Sequence, residues 1–181
     1  MALYQITKYN PVYRNRYGIY LMDEWTSISD IGKTFGNRVL KAVEYFTTEN
    51  MYIKAVKLIM GELGVQQLYV SGLEKSIKIS ELYEMIRKYS DYYPDRFIEV
   101  FRTVEDGSKL SGEDACHLCR LILREHLWCN LYSSDRSFII TFGYDYYMRI
   151  FCEEVKKETI NAIRDSGLFV EKKEVTDSCL I

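Results

Sequence analysis

The residues best suited to chemistry lie in one irregular segment, residues 24–32. This segment contains two carboxylates, Glu24 and Asp30, a large aromatic side chain, Trp25, and three hydroxyl groups. Segments of a buried core show periodic apolar patterns, and this segment shows none. It is therefore either the start of a helix, with Ser27 as the capping residue and Trp25 as an apolar anchor, or a surface that binds a partner.

Residues 27–34 come close to the phosphate-binding pattern G-x-x-x-x-G-K-[ST], but Ser27 replaces the first glycine. That glycine lets backbone amides curve around a phosphate, so its loss removes much of the physical basis for nucleotide binding. The pattern should also open a strand–helix–strand unit, and the chain lacks a regular alternation of strands and helices. Nucleotide binding is therefore disfavoured.

Cys116, His117 and Cys119 are residue types that bind zinc, but a zinc site needs about four ligands in tetrahedral geometry. Cys119 falls on the apolar stripe of a predicted helix, where a free cysteine behaves as a small apolar residue. The five cysteines are an odd number, and the chain shows no export signal, so they indicate reduced thiols. We expect no metal site and no cofactor.

Two carboxylate pairs, Glu24 with Asp30 and Asp135 with Asp145, could perform acid–base catalysis if the fold brought their members together. A carboxylate-dependent hydrolase or nucleic-acid-modifying enzyme is therefore the alternative function. Two histidines are few for such catalysis, and the nucleophile motif G-x-S-x-G does not occur. Carboxylates in loops more often cap turns or face solvent, so we predict that the protein is not an enzyme.

Length and composition predict one domain over residues 1–174 and a flexible polar tail over residues 175–181. A net charge of −2 argues against a nucleic-acid partner, because phosphate binding usually leaves a basic footprint. No apolar run is long enough to cross a bilayer and no signal peptide is evident, which predicts a cytoplasmic protein without a membrane partner. The sixteen tyrosines suit either strands or a protein-contact surface.

Alternation of apolar and polar residues predicts the strands, which are placed at residues 2–8, 66–73, 127–132, 137–142, 144–151 and 168–173. A polar turn at residues 133–136 predicts a hairpin between the third and fourth of these. In residues 144–151 the alternation puts Tyr144 and Tyr146 on one face and Asp145 and Tyr147 on the other.

Helical periodicity predicts helices over residues 49–63 and 153–166 and a further helix that begins at Pro94. Two more helices are predicted with Ser80 and Ser111 as their capping residues. Thr47 or Thr48 would cap the helix over residues 49–63, and Gly64 would end it in a left-handed conformation. The combination predicts an α+β fold in a single domain, with helices packed on a central antiparallel β-sheet.

Four stretches of the chain resemble one family of bacterial proteins. They are residues 9–11 (Tyr-Asn-Pro), residues 24–32, residues 123–128 and residues 142–148, and they span most of residues 1–150. The family is that of the immunity proteins that accompany polymorphic or contact-dependent growth-inhibition toxins.

The resemblance implies a cytoplasmic, non-enzymatic protein that binds the C-terminal domain of its cognate toxin, which is often a nuclease, and blocks it. If the two aromatic and acidic segments lie on the same side, they form a surface suited to recognition of another protein. The toxin-binding candidates on these segments are Glu24, Trp25, Asp30, Asp145 and Tyr147. Partners of nucleases tend to be strongly acidic, so either the acidic patch is local or the toxin is not a very basic nuclease.

Overall fold

A computed structural model describes residues 1–174 of the chain. The helices in this range are α1 (Ala42–Glu62), α2 (Ile79–Lys88), α3 (Arg96–Thr103), α4 (Gly112–Leu123) and α5 (Lys157–Asp165). The strands are β1 (Ala2–Thr7), β2 (Thr34–Phe35), β3 (Arg38–Val39), β4 (Gln67–Lys75), β5 (Lys109–Ser111), β6 (Leu127–Tyr132), β7 (Ile139–Phe142), β8 (Met148–Cys152) and β9 (Phe169–Lys173). The predicted tail, residues 175–181, lies outside the described residues.

Seven strands form one sheet in the order β5-β4-β6-β7-β8-β1-β9, and all neighbours in it run antiparallel. The first strand of the chain lies between the last two, so Tyr4 is paired with Ile150 on one side and Lys172 on the other. Strands β2 and β3 form a separate small hairpin. The predicted α+β class, a single domain with helices on an antiparallel sheet, is confirmed.

The hairpin of β6 and β7 has the predicted turn. The Asp135 carboxylate accepts hydrogen bonds from the Ser133 hydroxyl at 2.6 Å and from the Ser137 amide at 3.1 Å. These bonds hold the carboxylate in its charged form, and the pKa of Asp135 is lowered to about 2. Asp135 therefore stabilises its own turn and has no part in a pair with Asp145.

The predicted strand over residues 144–151 begins later than expected, at Met148. Asp145 and Tyr146 adopt left-handed backbone conformations with φ of 60° and 63°, which a strand cannot contain. A hydrogen bond from the Gly143 amide to the Tyr147 carbonyl, 2.7 Å long, closes the turn. Tyr144 is consequently 80% exposed, whereas Tyr146 and Met148, which the alternation placed on the same face, are buried.

The predicted starts of α1 and α2 are wrong. Helix α1 begins at Ala42, and Thr48 is inside it, where its hydroxyl donates to the Glu44 carbonyl at 3.1 Å. Helix α2 is preceded by Lys78, whose amide donates to the Glu81 carboxylate, so Ser80 is a helical residue. Packing of the first turns against the core overrides the weak local preference of threonine and serine.

Helix α5 begins at Lys157, because residues 153–156 are held as a loop. The Val155 amide donates to the Tyr4 hydroxyl at 3.0 Å, and the Lys156 amide donates to the Glu62 carboxylate at 2.8 Å. Helix α3 begins at Arg96, two residues after Pro94. The predicted cap of α4 is confirmed, since the Ser111 hydroxyl accepts from the Asp114 amide at 3.1 Å.

A buried ion pair joins α1 to the end of α4. Both the Glu49 carboxylate and the Arg124 guanidinium are almost without solvent exposure. The Arg124 side chain donates twice to this carboxylate, over 2.6 and 2.8 Å, and Arg120 adds a third bond of 2.6 Å. Hydrogen bonds from two charged donors therefore offset the free-energy cost of removing the Glu49 carboxylate from solvent.

Aromatic rings enclose the Arg124 guanidinium. Its central carbon lies 4.8 Å from the ring centres of Phe46 and Phe97 and 4.2 Å from that of Tyr93. The ring faces carry partial negative charge, so they stabilise the cation that they exclude from water. This cluster connects α1, α3 and α4 in the single hydrophobic core of the domain.

We predict that Arg124→Met lowers the free energy of unfolding by about 3 kcal/mol, because Glu49 stays buried and keeps only Arg120 as a charged partner. The double variant Glu49→Leu/Arg124→Met should recover part of this loss, since it removes both buried charges. Urea denaturation followed by circular dichroism measures both changes.

Lys172→Ala is the control, because it breaks the exposed ion pair of Lys172 with Glu154 and should cost below about 1 kcal/mol. A loss for Arg124→Met no larger than that of the control would show that the buried pair does not hold the helices together.

Candidate functional site

Trp25 anchors the segment of residues 24–32 in the core. Its side chain is 8% exposed, and its ring centre lies 5.1 Å from those of Tyr45 and Tyr146. The Lys8 ammonium lies 4.1 Å from the ring centre of Trp25. Trp25 therefore positions the segment, and most of its own surface is not available to a partner.

Asp30 caps the short 3-10 turn Ile28–Asp30 together with Ser27. Its carboxylate accepts from the amides of Thr26 at 2.8 Å and Ser27 at 3.1 Å, and from the Lys33 ammonium at 2.8 Å. Burial alone would raise the pKa of Asp30, but these bonds outweigh it and the pKa is lowered. The amides that a phosphate would need are thus already used by this carboxylate.

Glu24 is held between two side chains at the surface. It accepts a hydrogen bond from the Tyr20 hydroxyl and forms an ion pair of 3.2 Å with Lys8, whose side chain is buried. Burial lowers the pKa of Lys8, and the neighbouring Glu24 carboxylate opposes this effect. Glu24 is partly exposed, so it can still contact a partner.

The second predicted segment meets the first through Tyr146. The Tyr146 ring packs edge-on against Trp25, and its carbonyl accepts from the Tyr52 hydroxyl at 2.7 Å. The same Tyr52 hydroxyl accepts from the Lys8 amide at 2.7 Å, which ties the end of β1 to α1 at the same point. The two segments therefore lie on the same side of the molecule.

The two other candidates of this segment differ in exposure. Asp145 is exposed at the tip of its turn, whereas Tyr147 is half-buried and stacks on Tyr9 with ring centres 5.4 Å apart. The central carbon of the Arg14 guanidinium also lies near Tyr147, 5.8 Å from its ring centre. Of the five candidates, Glu24 and Asp145 are the two best placed to reach a partner.

A small crevice separates the two segments from the end of α4. Its lining includes Thr26, Glu125, Trp128, Asp145 and Tyr146. Glu125, Asp145 and Tyr146 have positive φ, and only one other non-glycine residue within residues 1–174 shares this conformation. Such conformations cost free energy and are concentrated at functional sites of proteins. The crevice is therefore the strained part of the fold.

Six carboxylates surround Trp25, and we call this surface the acidic face. They are Asp23, Glu24, Asp30, Glu44, Glu125 and Asp145. Half of them form ion pairs, in which Lys8, Lys33 and Arg38 are the bases. Within the described part of the chain the other half, Asp23, Glu125 and Asp145, form none.

The unpaired carboxylates of the acidic face give it a local charge of −3, while the whole chain carries −2. The chain outside the face is therefore close to neutral. Within the face, burial, and then the nearby charges of Asp145 and Asp30, raise the pKa of Glu125. The acidity of this protein is thus local.

An ordered loop beside the acidic face exposes large apolar side chains. We call residues 11–22 the apolar loop, and its exposed members are Val12 (81%), Tyr17 (71%), Leu21 (64%), Ile19 (59%), Met22 (50%) and Tyr13 (47%). A bridge between Arg14 and Tyr20 and the left-handed Gly18, with φ of 81°, fix its shape. Apolar side chains concentrated in this way mark contact surfaces of proteins.

The apolar loop adjoins the acidic face at two points. Met22 directly precedes Asp23, and the Tyr20 hydroxyl donates to Glu24. The sequence analysis gave residues 11–22 no role in binding. Aromatic and apolar residues beside Arg14 and Arg16 were the available signal, but the structure was needed to show that these side chains are exposed together.

Four further members of this surface, Asp23, Glu44, Glu125 and Trp128, were not among the predicted candidates. Glu125 follows a helix as an ordinary polar residue, and Glu44 lies in the first turn of a helix whose start was predicted seven residues too late. Trp128 alternates normally within β6, and its tilted contact with the exposed Tyr144, at 5.5 Å between ring centres, becomes evident only in the structure.

The cysteines of α4 lie in the hydrophobic core of the domain. Cys116 and Cys119 are buried, and burial raises the pKa of both thiols. Within residues 1–174 there is no group of three or more histidine, cysteine, aspartate or glutamate side chains that could hold a metal ion. No helix in the same range combines the length and the apolarity needed to cross a membrane.

Comparisons of the chain with protein-family models, with curated proteins and with solved structures find no match.

We predict that Glu125→Gln stabilises the protein at neutral pH. The raised pKa of Glu125 means that its charged form is less favourable in the folded state than in the unfolded chain. Stability is therefore lost as pH rises through this pKa, and the variant should unfold at higher temperature than the parent at pH 7 and above. The difference should shrink as pH falls and Glu125 becomes protonated. Thermal unfolding at several pH values measures it.

Glu84→Gln, on the exposed side of α2, is the matched control and should show no such gain. Equal or lower stability of Glu125→Gln at pH 7 would contradict the view that this carboxylate is repelled in the folded protein.

Proposed function

We propose that this protein is an immunity protein, which binds a cognate toxin domain with a stoichiometry of one to one and neutralises it. It acts in the cytoplasm of the bacterium that produces the toxin. The observation that carries the proposal is the apolar loop, whose large side chains are exposed beside a charged face. The sequence resemblance to immunity proteins of growth-inhibition systems supports the same function.

The arrangement suits binding of a protein rather than of a small molecule. Large apolar and aromatic side chains surrounded by charged groups are the usual composition of protein interfaces. The apolar loop is fixed by hydrogen bonds, among them that from the Leu21 amide to the Tyr13 carbonyl at 3.0 Å. A surface that is ordered before binding loses less conformational entropy when the partner arrives.

The alternative, a carboxylate-dependent enzyme, has less support. A catalytic acid needs a raised pKa, whereas the pKa values of Asp30 and Asp135 are both lowered by the hydrogen bonds of their turns. The one surface carboxylate of the acidic face with a raised pKa, Glu125, lies in a narrow crevice beside Asp145. Repulsion between carboxylates of a charged binding surface explains this raised pKa equally well. The raised pKa therefore does not favour catalysis over binding, and binding is the function proposed.

The direct test is co-expression with the toxin domain encoded immediately upstream of this chain. Growth should be restored in cells that make both proteins, and the two should copurify as a complex of equal stoichiometry. Growth arrest despite soluble expression, together with no copurification, would overturn the proposal.

We predict that the triple variant Val12→Ser/Ile19→Ser/Leu21→Ser loses protection and retains its fold. These side chains contribute little to the core because they are exposed, so thermal stability should change little. Loss of three apolar contacts from an interface should weaken toxin binding at least about a hundredfold, as measured by calorimetry.

Tyr83→Ser, at an exposed aromatic residue of α2, serves as the control and should protect as well as the parent. Full protection by the triple variant would show that the apolar loop is not the contact surface.

A further inference from the structure

We infer that the acidic face and the apolar loop form one continuous docking surface, and that its occupant is a positively charged patch of the toxin domain flanked by apolar side chains. This inference rests on the proposed function and adds the chemistry of the partner. The acidic face would meet lysine or arginine side chains of the toxin, and the apolar loop would cover the apolar residues next to them.

The first argument is the distribution of charge. Asp23, Glu125 and Asp145 form no ion pairs among residues 1–174, although the chain has 24 lysine and arginine residues. Glu125 and Asp145 lie on the same crevice, where their charges repel each other. Cations supplied by a partner would remove this repulsion. Binding of the partner would therefore release electrostatic free energy that folding alone leaves unfavourable.

The second argument is the aromatic wall of the crevice. Trp128 lines it, and its ring packs at a tilt of 58° against that of Tyr144, which is 80% exposed although it is a large aromatic residue. Aromatic ring faces attract lysine and arginine side chains, and a neighbouring carboxylate strengthens this attraction. An aromatic pair with one exposed ring, beside two unpaired carboxylates, has the composition of a surface contact for one cationic side chain.

The third argument is a second depression, which Trp25 itself lines. It is lined by Asp23, Glu24 and Glu44 and by apolar atoms of Phe35 and Val39. Arg38 pairs with Glu44 there over 3.3 Å, but the Arg38 side chain is 81% exposed, so this bond is readily exchanged for one to a partner. Charged and apolar groups thus alternate over the whole surface, as in interfaces where charge sets orientation.

The charges also explain how a chain of low net charge could capture a basic toxin. Steering depends on the local potential near the binding site, which falls off over about 10 Å at ordinary ionic strength. A face of −3 on an otherwise nearly neutral molecule therefore attracts a basic patch in one defined orientation. Of the alternatives left open by the sequence, the geometry points to a local acidic patch.

We predict that Asp145→Lys weakens binding of the adjacent toxin domain about tenfold or more, and that Glu125→Gln/Asp145→Asn weakens it by a smaller factor. The affinity of the parent should fall as salt is raised from low to high concentration, and the double variant should show a shallower salt dependence. Calorimetry or surface plasmon resonance with the purified toxin domain measures these values.

Glu84→Lys makes the same change of charge on α2, outside the acidic face, and should leave the affinity within about twofold of the parent. A thermal stability that is not lowered relative to the parent establishes that the variants are folded. If the parent binds and Asp145→Lys binds equally well, the docking inference is overturned while the immunity function stands. If the parent itself does not bind the toxin domain, the proposed function fails.

Discussion

The ion pair between Glu49 and Arg124 is the interaction on which the rest of the structure depends. It joins the middle of α1 to the end of α4 in a setting without water, so neither charge can be left alone. The cost of burying these groups is offset by bidentate geometry, by Arg120 and by three aromatic rings. A shift of α1 relative to α4 would break several of these bonds at once. The bonds therefore favour one relative position of the two helices.

This pair also sets the geometry of the candidate binding surface. Arg124 is followed directly by Glu125, which takes the left-handed conformation that ends α4 and turns the chain into β6. On the other side, α1 carries Tyr45 and Tyr52, which support Trp25 and Tyr146. The strained crevice is therefore framed by two elements whose spacing the buried pair has already fixed. A rigid core allows a strained and self-repelling surface to persist.

Much of the fold could be predicted from the sequence because its signals are local. The strands β1, β4 and β6 and the hairpin of β6 with β7 follow from alternation and from a turn whose side chains bond to their own backbone. The cap of α4 follows from Ser111 in the same way. The predicted helix starts were wrong where residues distant in the chain determine the backbone conformation. Hydrogen bonds to Tyr4 and Glu62 hold residues 153–156 in a loop before α5, and core packing extends α1 towards its N-terminus.

The sequence by itself determined the α+β class, the local turns and two of the segments that contribute to the acidic face, because hydrogen bonding and periodicity over a few residues specify them. Only the tertiary structure decided that Glu125 faces Asp145, that Trp25 is an anchor and that residues 11–22 stay exposed. These features depend on contacts between residues far apart in the chain, such as Arg124 with Glu49, 75 positions away. No local pattern encodes such pairs, since each is fixed only when the whole core has packed.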